Sequence, residues 1–121
     1  MTRWGAYRGT KYRSVWTKCA QGNMHQSGLE ARRCDELHVM QAGGLIVDLD
    51  AHPQPRFDLA VNGVDVCDYH ADFRYRDVQS NRVVVEDAKG MRTREYEIKR
   101  RLMLAIHGID VQEIRSARGA R

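Results

Sequence analysis

The period of apolar positions changes several times along the chain, and each change marks an element. Residues 1–26 mix glycines, basic residues and the aromatics Trp4, Tyr7, Tyr12 and Trp16 without a period. That pattern predicts a mobile arm carrying a short strand near Ser14–Lys18. Ser27-Gly-Leu-Glu30 has the capping-box pattern of a helix start, and Leu29, Cys34, Leu37 and Met40 continue as an approximately helical stripe. Gly43-Gly44 supplies the stop. Leu45–Leu49 and Pro55–Val61 read as strands. Asn62-Gly63 is a hairpin turn leading into one long strand, Val64–Tyr75. A polar turn at Arg76–Asn81 precedes the strand Arg82–Lys89. Thr93 is suited to cap a second helix over Arg94–His107, with Tyr96, Ile98, Leu102, Ala105 and Ile106 on its buried side. Gly108 ends it, Ile109–Ile114 is a last strand, and 115–121 is a frayed tail. Strand, helix and strand from Arg82 onward form a βαβ unit, so those two strands should be parallel. The order is read as α-β-β-β-α-β: an α/β domain over 27–114 with one mixed sheet flanked by helices.

With 121 residues, 42% of them hydrophobic, the chain can build one modest core and has little room for two. No apolar run approaches a membrane span, and MTRWGAYRGTKYR lacks the apolar stretch of a secretory leader. The expectation is a cytoplasmic protein with no membrane partner. Cys19, Cys34 and Cys67 are odd in number and contain no CxxC pair, which predicts free thiols rather than a structural zinc site. His25, His38, His52 and His107 have no ligand-like spacing and are expected to be structural.

Charge is distributed unevenly. Residues 1–18 carry five basic and no acidic side chains, 19–87 carry six basic and twelve acidic, and 88–121 carry nine basic and four acidic. Basic ends around an acidic middle suit a polyanion held beside a carboxylate-lined site. The aromatics interleaved with Arg and Lys in the arm suit stacking on bases.

The chemistry-bearing pattern lies on the Arg82–Lys89 strand. Alternation puts Val83, Val85, Asp87 and Lys89 on one face and Val84, Glu86 and Ala88 on the other. A hairpin with the preceding strand would bring Asp72 toward Asp87, and two converging carboxylates form an oxygen-rich site suited to Mg²⁺ or Mn²⁺. Lys89 could then orient water or stabilise charge on phosphorus. The Ala88 carbonyl and Glu30 are further candidate ligands. His70, two residues before Asp72, could touch the site, and Tyr96 shares a helix face with Lys99. Arg92, Thr93, Arg94, Lys99 and Arg100 crowd at the second helix, whose N-terminus could hold a phosphate.

Asp72…Asp87-Ala-Lys89 resembles the D-Xn-(D/E)-X-K signature of the PD-(D/E)XK nuclease superfamily. SGLEARRCDEL, QPRFDL, YHADFRYRD, VVVEDAKGMRT and YEIKRRL, in that order, resemble a phage-associated small-protein family catalogued as a domain of unknown function (DUF1064-like) and placed in that superfamily. The resemblance covers about 27–114. It implies a restriction-endonuclease-like αβββαβ core and metal-dependent DNA cleavage. It puts Glu30, Asp72, Asp87 and Lys89 in the active site, with Gln54 in support. The chain departs from the family at Gly22–Ser27, where an aromatic-acidic pair is expected. The resulting expectation is a Mg²⁺- or Mn²⁺-dependent DNA endonuclease of a phage or prophage in a bacterial host. It would act on branched or structured DNA in replication or recombination, as a homodimer and without a small-molecule cofactor. The competing readings are a non-catalytic DNA-binding module of the same fold and a phage assembly protein.

Overall fold

The strand Arg82–Ala88 is buried on both faces over its second half, and the remaining elements are arranged about it. The structure, a computed structural model, describes residues 15–88 and 92–115. In chain order the elements are β1 (Thr17–Lys18), β2 (Met24–His25), α1 (Gly28–Ala42), β3 (Ile46–Asp50), β4 (Arg56–Val61), β5 (Val64–His70), β6 (Phe73–Asp77), β7 (Arg82–Ala88), α2 (Arg94–Leu102), a π-helical turn (Met103–His107) and β8 (Gln112–Ile114). The molecule is a mixed α/β fold. Its central sheet has the order β3-β6-β7-β8, antiparallel except for β8, which runs parallel to β7 as a βαβ unit requires.

The two faces of this sheet carry separate cores. Phe73 pairs with Glu86 and Tyr75 with Val84, so these four share the face that α1 covers. Cys34 and Leu37 of α1 pack there with Ile46 and Phe73, all fully buried. Each large apolar side chain so buried contributes roughly 1.5–3 kcal/mol. The same face holds a buried acid, Glu86. It accepts two hydrogen bonds from Arg33, at 2.8 Å each, and one from the Tyr75 hydroxyl. This latch ties α1 to β7. On the opposite face Val85 packs with Leu59, Tyr69, Met103 and Val111. Over the described part of that strand, Arg82–Ala88, the alternation holds, with Glu86 turned away from Asp87.

Three expectations need correction. First, Val64–Tyr75 is two strands. Ala71 N donates to Pro55 O and Asp72 N donates to Glu86 O, both at 3.1 Å, so the backbone transfers its pairing from β4 to β7 at this corner. No glycine or proline marks the break, and the alternating pattern runs through it. Second, the strands do not form one sheet, because β4 and β5 pair only with each other. Their turn is as expected: Asn62 (φ 52°) and Gly63 (φ 80°) have the left-handed backbone of a tight hairpin. Third, the second helix ends in a π turn. Its wider turn shifts the stripe beyond Leu102, so Met103 is fully buried while Ala105 is exposed. Ile98, earlier in the helix and two residues from buried Tyr96, lies on the opposite side and is exposed too.

Ser27 caps α1 by accepting from Glu30 N at 3.2 Å, and Gly43 closes it. The Glu30 carboxylate does not complete the capping box and turns to His25 instead. Residues 17–25, read as part of the arm, form an antiparallel hairpin beside α1 with Cys19 and His25 buried.

Candidate active site

Asp72 occupies the corner between β5 and β6, and Asp87 lies near the end of β7. The β6–β7 pairing ends at Phe73 and Glu86, which makes these two acids the next positions outward on adjacent strands. Asp72 Oδ1 accepts from Gln54 Nε2 and Oδ2 accepts from the Ala88 amide, both at 2.8 Å. Asp87 Oδ2 accepts from the Tyr69 hydroxyl. Glu30 approaches from α1. Its Oε2 meets His25 Nδ1 at 2.8 Å, and its other oxygen has no partner among the described residues.

All three acids are secluded: Glu30 is 8% exposed, Asp72 8% and Asp87 4%. Burial, and then the charge of Asp87, push the Asp72 carboxyl up to about 8, with Glu30 adding to the effect; the Ala88 hydrogen bond opposes it. The Tyr69 hydroxyl is raised by burial and by the Asp87 charge, so it remains a donor at neutral pH. An acid cluster of this kind generates a strong negative potential, which a hard cation would relieve. A carboxylate oxygen that accepts one hydrogen bond keeps a second lone pair, so Asp72 can still ligate.

Two clefts are lined by Glu30 or by residues hydrogen-bonded to Asp72 and Asp87. One, of about 190 Å³, is lined by Trp16, Met24, Gln26, Glu30, His52 and Gln54. The other, of about 260 Å³, is lined by Tyr69, His70, Thr93, Glu95, Tyr96 and Lys99. Gln54 joins the first to Asp72, and Tyr69 joins the second to Asp87.

The structure brings Gln54 and the Ala88 amide onto Asp72 and sets Asp72 close enough to Asp87 and Glu30 to feel their charges. Lys89 lies outside the described residues, as do residues 1–14 of the arm and 116–121 of the tail. His70 lines the cleft beside Tyr69, with its exposed imidazole 3.5 Å from Asp68. The strand ends at His70, so it does not share a strand face with Asp72 as the alternation suggested. Its neighbour Tyr69 is the residue that sequence reasoning missed. An aromatic in a half-buried strand gives no signal beyond core packing.

The basic helix face is only partly free. Glu113 on β8 accepts from Arg92 at 2.9 Å, Arg100 at 3.3 Å and the Tyr96 hydroxyl at 3.0 Å. Burial alone would raise the Glu113 carboxyl, but these donors hold it below the usual range. Arg92 and Arg100 are therefore engaged within the fold. Thr93 is the N-cap, accepting from Tyr96 N at 3.1 Å. Lys99 pairs with the exposed Glu95 at 3.1 Å, and Arg94 is exposed. Tyr96 and Lys99 do share a cleft.

A second cluster was not foreseen. The ligand-capable atoms of Cys19, His25, Cys34 and His52 all lie within 4.8 Å of one another. The thiols are free, but the reading of these cysteines and of His25 and His52 as lacking any metal-ligand arrangement is corrected. His38 and His107 make the structural contacts expected, to the carbonyls of Cys34 and Asp58, each at 2.8 Å.

Fold and site together define a mixed α/β domain with a buried carboxylate cluster at the end of its central sheet. The chain belongs to the family described as "Protein of unknown function (DUF1064)", whose model matches residues 9–119. No curated protein and no solved structure matches the chain. No helix among the described residues is long and apolar enough to cross a membrane.

Proposed function

We propose that the chain is a divalent-metal-dependent DNA endonuclease of the PD-(D/E)XK class. The observation that carries this reading is the placement of Asp72 and Asp87, both buried, side by side at the end of adjacent strands, with the Asp72 carboxyl pushed up to about 8 by burial, by Asp87 and by the charge of Glu30. So concentrated a set of acids is unfavourable by itself and is relieved by a cation. With the separate β4–β5 hairpin set aside as an insertion between β3 and β6, the remaining order α1-β3-β6-β7-α2-β8, with β8 parallel to β7, is compatible with an αβββαβ core of the restriction-endonuclease-like kind.

Asp72 and Asp87 would hold Mg²⁺ or Mn²⁺, with the Ala88 carbonyl and the unpaired oxygen of Glu30 as further ligands. Bound there, the ion would supply charge neutralisation at the scissile phosphate and a more acidic water. Gln54 and the Ala88 amide fix the plane of the Asp72 carboxylate, and Tyr69 fixes that of Asp87. Lys89, two residues beyond Asp87, enters by its sequence position as the cation that steadies the attacking water or the phosphoryl oxygens. Arg94 and Lys99 would contact the backbone of the DNA. So small a domain offers little surface for reading bases, which favours recognition of branched or structured DNA by shape. A phage context, as the resemblance implies, suits such a substrate.

Full-length protein should nick supercoiled plasmid with Mg²⁺ or Mn²⁺ and not without added metal. Asp87→Asn should slow nicking by roughly 10²-fold or more, as expected on removing a group that acts on charge in the transition state. Retention of plasmid, single-stranded and four-way-junction DNA without cleavage in either metal would assign a binding module instead. Failure to bind any of them at low salt would sink both readings.

A further inference from the structure

We propose that Cys19, His25, Cys34 and His52 form a structural Zn²⁺ site. The distances favour it. Zinc–sulfur bonds of about 2.3 Å and zinc–nitrogen bonds of about 2.0 Å, set tetrahedrally, imply about 3.8 Å between two sulfurs and about 3.6 Å between sulfur and nitrogen. Cys34 Sγ lies 3.8 Å from Cys19 Sγ and 3.6 Å from His52 Nε2. The widest separation among the four, at most 4.8 Å, exceeds a tetrahedral edge by about 1 Å. The exposed His52 ring can close that gap by rotating.

An independent observation points to a ligand. His25 is 1% exposed, and its Nε2 is a buried side-chain atom with no hydrogen-bond partner. Such an orphan is costly and calls for a specific reason. His25 Nδ1 donates to Glu30 Oε2 at 2.8 Å, which leaves the Nε2 lone pair directed into the cluster. A histidine that donates one ring N–H to a carboxylate and ligates through the other nitrogen is the usual second partner set of a zinc site.

Donor chemistry selects the ion. Two thiolates and two imidazoles in a tetrahedral arrangement suit Zn²⁺, whereas Mg²⁺ prefers oxygen. On binding, two S–H bonds break, two Zn–S bonds form and both protons pass to solvent. Two thiolates balance the charge of the ion, so the buried cluster stays neutral, and no oxidation is involved. A disulfide is a different arrangement, since its sulfurs would stand about 2.05 Å apart.

The site would join the β1–β2 hairpin to α1 and to the segment after β3. Through His25 it would also fix the Glu30 carboxylate.

Full-length protein purified under reductant should carry one zinc per chain through gel filtration, measured by plasma mass spectrometry. The Co²⁺-substituted protein should show thiolate-to-cobalt charge transfer and intense tetrahedral d–d bands. Cys34→Ser should abolish the charge transfer from one thiolate and most zinc retention. His52→Ala, at an exposed position, should leave the circular dichroism unchanged and weaken zinc binding. Glu30→Gln should weaken it by roughly 10–100-fold. Negligible zinc in the wild type, absence of cobalt–thiolate absorption, or zinc retention unchanged in both Cys34→Ser and His52→Ala would overturn the proposal. The last outcome would assign the ion to the carboxylates.

Discussion

Asp72→Asn should make the protein more stable at neutral pH, although it alters a candidate metal ligand. Asp72 is 8% exposed, and its carboxyl is pushed from 3.8 to about 8 by burial and by Asp87. At pH 7 the folded chain therefore keeps a proton that the unfolded chain releases. Between about pH 4 and 8 unfolding sheds that proton, so stability falls as pH rises through this window. Each tenfold in the acid constant is worth about 1.4 kcal/mol, which gives about 4 kcal/mol at pH 7 from the values of Asp72. Asparagine removes the ionisation. Its single oxygen can accept from Ala88, and a flipped Gln54 amide can accept from its nitrogen. Allowing for an imperfect exchange, the variant should gain about 2–4 kcal/mol, or roughly 8–16 °C in melting temperature. The assay is urea unfolding of both proteins from pH 4 to 8. The proteins should first be exchanged by gel filtration into buffer without Mg²⁺ or Mn²⁺, so that any zinc is left in place. Taking the difference between the two curves cancels other titrating groups. Added Mn²⁺ should stabilise the wild type by about 2.7 kcal/mol at a hundredfold excess over its Kd, and the variant by less. A variant that melts below the wild type at pH 7, or a difference independent of pH, would refute the reasoning.

Arg33→Ala should destabilise the fold by about 3–5 kcal/mol in urea titrations, because it leaves Glu86, 2% exposed, without its cation. The double replacement Arg33→Met with Glu86→Leu should recover most of that loss. Tyr69→Phe keeps the ring packing with Phe57 but removes the donor to Asp87. It should cost about 1.5–3 kcal/mol in chemical denaturation and weaken Mn²⁺ binding measured by calorimetry. Arg94→Ala should lower DNA affinity and reduce the slope of log affinity against log salt by about one in fluorescence titrations. Arg92→Ala, which breaks contacts with Glu97 and Glu113, should instead act mainly on thermal stability.

Much of the carboxylate site was legible because its parts lie on adjacent strands. A period of two along Arg82–Lys89 separates Asp87 from Glu86, and hairpin pairing with the next strand brings Asp72 close. The corner at Ala71–Asp72 was not legible, since it arises where pairing passes from β4 to β7 rather than at a turn residue. Glu30 was legible as a helix-start acid, but not its partner. Ser27 caps the helix as its sequence indicates, while the Glu30 carboxylate finds His25 in a strand that only folding sets beside it. The crowd of arginines looked like an open cationic face, and Glu113, from the far end of the chain, engages two of them.

The sequence by itself determined the helix caps, the Asn62-Gly63 turn, the parallel βαβ unit and the pairing of Asp72 with Asp87. Each follows from local propensity or from neighbouring strands. The tertiary structure alone decided the Cys19, His25, Cys34 and His52 cluster. The two cysteines are 15 positions apart, and Cys34 and His52 are 18 apart. Recognisable ligand spacings arise when one turn presents two donors. Here the four come from separate elements, and only the burial of Leu37, Ile46 and Phe73 between α1 and the sheet brings those elements together.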